Sequence, residues 1–177
     1  MCANSADPDP ECRSFPPVID GDTEILVLGS MPGRESLRRQ EYYGFPRNLF
    51  WSITGELFDF DPALPYRARL RALLAHGVGL WDVLAACERP ATSLDAAISA
   101  PRPNDISGLL ARCPRVKRIC CNGSAAAGYL KRFFPDLAVE VRRLPSTSPA
   151  AAMFGREEKL RAWRAALLPP PPPLPPR

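Results

Sequence analysis

The chain has 177 residues, 46% hydrophobic and 24% charged, the balance of one ordinary globular domain. No apolar run approaches the roughly 18 residues that cross a bilayer, which excludes a membrane-spanning helix. The net charge of +4 is uneven: residues 1–24 hold six acids and one base, and the rest holds 22 bases, nearly all arginine, against 13 acids, so the body suits a polyanionic partner.

Residues 1–17 are rich in Pro and Asp and are expected to form a flexible N-terminal segment. Their start has no basic region and no apolar core, which argues against a signal peptide and for a cytoplasmic protein. The run EILVLG predicts a buried strand over 24–29. A helix follows over 47–58, with Leu49, Phe50, Ile53 and Leu57 on one face. Another covers 66–76, ending at the single histidine, His76, which reads as a helix C-terminal residue. A short strand over 78–84, a helix over 105–112, a strand over 116–121 and a helix over 123–134 come next. A strand over 138–144 and a closing helix over 155–168 complete the series, and PPPPPLPPR, residues 169–177, is expected to be a disordered proline-rich tail. Strands alternating with helices predict an α/β fold, a three-layer α/β/α sandwich around a mainly parallel sheet of about four strands, as one domain over 18–168. The six cysteines form no Cys-x-x-Cys pair, and a cytoplasmic chain keeps thiols reduced, so no disulfide, metal or cofactor is expected.

In such a sheet, ligands bind outside the carboxyl ends of the strands. Those ends hold GSMPG (29–33), Trp81–Asp82, Asn122–Gly123 and PSTSPA (145–150). Gly29 and Gly33 permit close approach of a ligand, Pro32 stiffens the turn, and the backbone N–H groups of Ser30 and Met31 can meet the polar edge of a planar base. The plain alternative is a strand-to-helix turn, and on this segment alone that alternative wins. YYGFPRNLFW (42–51) holds five aromatics in ten residues. Phe50 and Trp51 read as core, whereas Tyr43 and Phe45 precede Pro46 in an extended or turned segment where a ring could stack on a base. Arg47 could meet a phosphate. Asn48 could cap the helix or point its amide into the cleft. Ser146, Thr147 and Ser148 could bind a phosphate through hydroxyl and N–H groups, or simply form a surface turn. Asp82 could accept from a ring N–H or serve as a cap, and Asn122 could read a base edge or start the next helix.

Taken in order, GSMPG, PRNLFW, GVGLWDVL, NGSAA and PSTSPA resemble the motifs of the uracil-DNA glycosylase superfamily. They are most similar to its hypoxanthine-DNA glycosylase branch, also called DNA-deoxyinosine glycosylase, over about residues 24–165. The resemblance implies a monofunctional glycosylase that flips a deaminated base (hypoxanthine, uracil or xanthine) out of damaged DNA and hydrolyses its N-glycosidic bond. It also implies no membrane partner and no cofactor; the working unit is expected to be a monomer. In the superfamily the third position of the first motif often holds a water-activating Asp, Asn or Glu; here it is Met31. In the branch that motif likewise lacks the acid and an Asn in the aromatic segment is implicated instead, which makes Asn48 the catalytic candidate. The branch often carries His-Pro-Arg-Asn, where this chain has Phe45. The base pocket would comprise Gly29, Ser30, Met31, Pro32, Gly33, Tyr43, Phe45, Asp82 and Asn122. Arg47, Ser146, Thr147 and Ser148 would hold the DNA backbone. A non-catalytic nucleic-acid module on the same fold is the alternative that Met31 and Phe45 favour and Asn48 opposes. A nucleoside hydrolase ranks third.

Overall fold

The computed structural model describes residues 11–90 and 92–169. The expectations for residues 1–10 and 170–177 lie outside them.

Four parallel strands make the central sheet: β2 (Ile25–Gly29), β3 (Val78–Asp82), β6 (Arg118–Asn122) and β7 (Glu140–Leu144), in the order β3-β2-β6-β7. Apolar runs form β2, β3 and β6, whose faces are covered, whereas the edge strand β7 (EVRRL) is largely exposed and polar. Alternate side chains go to opposite layers. Val27, Leu80 and Cys120 face a core built on α2 (Phe50–Phe58), α3 (Tyr66–Ala75) and α6 (Arg156–Leu167), where Phe50, Ile53, Leu73 and Trp163 are fully buried. Leu26, Leu28, Ile119 and Cys121 face α4 (Ile106–Arg112) and α5 (Ser124–Phe133) through Leu109, Ala126 and Leu130. Burial pushes the Cys120 and Cys121 thiols up to about 11 and 12, so both behave as small apolar side chains.

The structure adds a second sheet that the sequence pattern does not announce. β1 (Glu11–Arg13), β4 (Leu84–Glu88) and β5 (Ser99–Pro103) pair antiparallel in the order β1-β4-β5. The expected strand over 78–84 is therefore two strands that change sheets at Val83. There Val83 and Leu84 donate their N–H groups to the carbonyls of Gly29 and Ser30. β5 contains Pro101 and Pro103, which a central strand would not tolerate and an edge strand does. Residues 11–17, expected to be flexible, are instead tied down: β1 pairs with β4, and Tyr42 Oη donates to the carbonyls of Phe15 and Pro16. The helix expected over 47–58 begins at Phe50, and a short helix α1 (Arg34–Arg39) precedes it. His76 lies past the end of α3, its ring stacked on Phe58 at 4.5 Å.

Because all four strands of the main sheet run the same way, their carboxyl ends share one edge. Gly29 and Asp82 are register partners there, as are Asn122 and Leu144.

Candidate active site at the carboxyl edge of the sheet

A cavity of about 930 Å³ opens at this edge. All the residues expected to form the base pocket and to hold the DNA backbone line it, together with Asn48. A larger groove of about 1560 Å³ lies at the opposite edge, where Lys117 and Arg118 pair with Glu24 and Glu140. Size alone does not pick out a site; the polar groups that converge on the smaller cavity do.

The first turn is held from behind. Ser30 Oγ donates to Asp95 Oδ1 at 2.6 Å, the Arg34 N–H donates to Ser93 Oγ at 3.0 Å, and the buried Arg89 guanidinium donates to the Pro32 carbonyl. The segment 89–95 thus straps the GSMPG turn at three points, a role that nothing in its own sequence announces. Met31 sends its side chain away from solvent into a small cluster with Leu84 and Cys87. Among the described residues, neither Met31 nor Gly33 gives its backbone N–H to a protein acceptor. The turn therefore offers N–H groups to a ligand while Met31 serves packing.

Tyr43 and Phe45 take different parts. Tyr43 has a left-handed backbone (φ 55°), and its ring stacks on Phe50 with centroids 4.0 Å apart. One face of that ring is spent on the core, contrary to the expectation of an open stacking platform. Its hydroxyl is buried at the cavity floor with no hydrogen bond of ordinary geometry. Burial and the nearby Asp82 push that hydroxyl above the usual tyrosine range, so it stays protonated. Phe45 is half-buried, lines the cavity and carries the Arg47 guanidinium 5.2 Å from its ring centroid. The neighbouring Gly44 N–H donates to the buried Ser36 Oγ, which ties the aromatic segment to α1.

Asn48 sits both at the helix entry and in the cavity lining. Its Oδ1 accepts from the Phe50 N–H at 3.0 Å, the helix-entry bond. Its Nδ2 has no protein partner among the described residues and the side chain lines the cavity.

Asn122 and Thr147 depart from the roles expected of them. Asn122 Nδ2 donates to Thr147 Oγ1 at 2.8 Å and its Oδ1 accepts from the Thr147 N–H at 2.9 Å. Thr147 is fully buried, and its carbonyl accepts from the Leu49 N–H. The pair is a strut between β6 and the serine loop, and the Thr147 hydroxyl is out of reach of a phosphate. Ser146 and Ser148 remain half-buried on the cavity wall. Under the loop, the buried Lys159 donates to the Ala151 carbonyl at 2.9 Å, and burial lowers its ammonium below the usual lysine range. Lys159 was not expected from sequence, because a lysine in an Arg- and Glu-rich helix reads as solvated. Just beyond, Met153 and Phe154 are 85% and 43% exposed. Two adjacent apolar side chains after the PSTSPA turn were the available signal for them.

Asp82 is the least expected group. It is 3% exposed, and among the described residues its Oδ2 has no partner and no cation pairs with it. Burial, reinforced by Asp95 and opposed by Arg89, pushes its carboxyl up to about 8. Among the described residues it makes no helix-cap bond, and its burial favours the neutral acid over the carboxylate. Gly29 is what lets it stand there: a Cβ at that position would lie 2.5 Å from Asp82 Oδ1 and 3.7 Å from Tyr43 Oη.

Comparison with known proteins gives the same direction. The family model of the Uracil DNA glycosylase superfamily matches residues 16–169. A hypoxanthine DNA glycosylase of Methanosarcina acetivorans is 38% identical over 154 residues, covering 86% of this chain and 96% of that protein. One of Methanosarcina barkeri is 41% identical over 139 residues, covering 78% of this chain and 87% of that protein. The solution NMR structure of a candidate uracil DNA glycosylase from Methanosarcina acetivorans superposes with a TM-score of 0.76 at 38% identity, covering 89% of this chain and 96% of that one.

Proposed function

Since the chain belongs to the uracil DNA glycosylase superfamily, we infer that it is a DNA repair glycosylase that removes a deaminated base, hypoxanthine foremost, by hydrolysis of its N-glycosidic bond. The observation that carries this reading is the convergence of five separated segments on one cavity at the carboxyl edge of the sheet.

A base stacked in a duplex cannot reach that cavity, so the nucleotide must be turned out, at a cost of a few kcal/mol that a poorly paired deaminated base lowers. Phe45 stacks on the extruded base, and backbone N–H groups of the GSMPG turn meet its polar edge. Arg47, Ser146 and Ser148 hold the flanking phosphates, and Met153, beside the serine loop, fills the gap left in the stack. Asn48 keeps its Oδ1 on the helix and uses its free Nδ2 to place the attacking water at the sugar carbon. That is a positioning role, since an amide is no base. Oriented dipoles at the cavity floor favour the departing base. One chain carries the whole cavity, which supports a monomer as the working unit, and no helix among the described residues is long and apolar enough to cross a membrane.

The test is a duplex oligonucleotide assay over inosine, uracil, xanthine and normal bases, read as alkali-labile strand scission. Asn48→Ala should slow release on the order of 10²-fold while DNA affinity stays near wild type. Scission of none of these substrates by the wild-type protein, with binding retained, would favour a non-catalytic DNA-binding module.

A further inference from the structure

Among the described residues, two buried polar atoms at the cavity floor lack a hydrogen bond of ordinary geometry: Asp82 Oδ2, and Tyr43 Oη, which has the Asn122 side chain beside it. Native interiors leave few such orphans, because each forfeits the hydrogen bonds it had with water. The two side chains stand together: Asp82 Oδ1 and Tyr43 Oη lie 2.5 and 3.7 Å from where a Cβ on Gly29 would be, and both residues line the base cavity.

The groups facing Asp82 come from several elements: Tyr43 from the aromatic segment, Asp95 from the short turn after β4, and Arg89 from the end of β4, with Tyr42 and Tyr66 behind. Arg89 is turned onto the Pro32 carbonyl, makes no ion pair with Asp82 among the described residues, and leaves its own buried Nε and Nη1 without a partner. Burial and Asp95 therefore favour the acid form of this carboxyl, in the cavity where the base would depart.

We propose that Asp82, aimed into the base cavity beside the Tyr43 hydroxyl, is the general acid that protonates the departing base. This rests on the glycosylase reading above. As the bond between sugar carbon and base nitrogen breaks, its electron pair goes to the base. The Asp82 proton passes to a ring nitrogen, so the base leaves neutral. The Tyr43 hydroxyl donates a hydrogen bond to the carboxylate left behind. The water placed by Asn48 adds its oxygen to the sugar carbon, and its surplus proton restores Asp82 through solvent. One water is consumed, and one base and one abasic sugar are released.

Single-turnover base release from an inosine duplex, followed from about pH 6 to about pH 10, tests this. The wild-type rate should be level below about pH 8 and fall about tenfold per pH unit above it, as the acid ionises. Asp82→Asn keeps the shape but has no transferable proton; it should be slower by about 10²-fold and show no such fall. Tyr43→Phe removes the donor that favours the carboxylate and should move the fall to higher pH. A wild-type rate level through pH 8, or Asp82→Asn at wild-type rate with the same profile, would overturn the acid role and leave the glycosylase reading standing. No release of any base by the wild-type protein would overturn both. Should Asp82→Asn not fold, the wild-type profile and the Tyr43→Phe shift decide.

Discussion

A buried neutral acid must show itself in stability, independently of any activity. Asp82 titrates at about 8 in the folded chain and near 3.8 when unfolded. Between those values the folded protein holds a proton that the unfolded chain has released. Stability attributable to this group therefore falls as pH rises through that window, the reverse of an ion-paired carboxylate. Each pH unit is worth about 1.4 kcal/mol, so by pH 7 the cost reaches about 4 kcal/mol relative to pH 4. Asp82→Asn removes the titration and leaves Asp95 and Arg89 in place. The difference in stability between variant and wild type should therefore grow by about 4 kcal/mol from pH 4 to pH 7, which for a chain of this size is roughly 8–16 °C in Tm. Paired thermal melts at the two pH values measure it. A difference that does not change with pH would mean that Asp82 is already ionised in the folded protein, and the reasoning from its burial would be refuted.

Two glycines offer further checks. Gly29→Ala brings a Cβ 2.5 Å from Asp82 Oδ1, so the carboxyl must leave its position; we expect about 1–3 kcal/mol of destabilisation by denaturant titration and at least about tenfold slower base release. Full release in this variant would show that the carboxyl's place at the floor does not matter. Gly123→Ala is strained by its φ of 98° and would set a Cβ 2.9 Å from Ser146 Cβ. It should cost about 2 kcal/mol and weaken DNA binding by displacing the serine loop, as a fluorescence-anisotropy titration would report.

Much of this was legible in the chain. Apolar runs such as ILVLG specify buried strands locally, and the helices after them follow from local periodicity, so the parallel sheet and its ligand-binding edge could be read directly. So could the candidate positions, because turns at strand ends need Gly, Pro and short polar residues. The second sheet could not: SAPRP and ECR have no alternation to betray a strand, and they become strands only because β4 offers them a backbone ladder. Nor could the division of labour within the site. Thr147 and Ser148 are alike as sequence, yet one is buried on Asn122 and the other lines an open wall. Asp82 has a carboxylate's composition and an acid's behaviour. Sequence determined which residues arrive at the carboxyl edge, because that depends on local pattern. Only tertiary packing decided which of them meet water, because burial and charge state are set by neighbours distant along the chain.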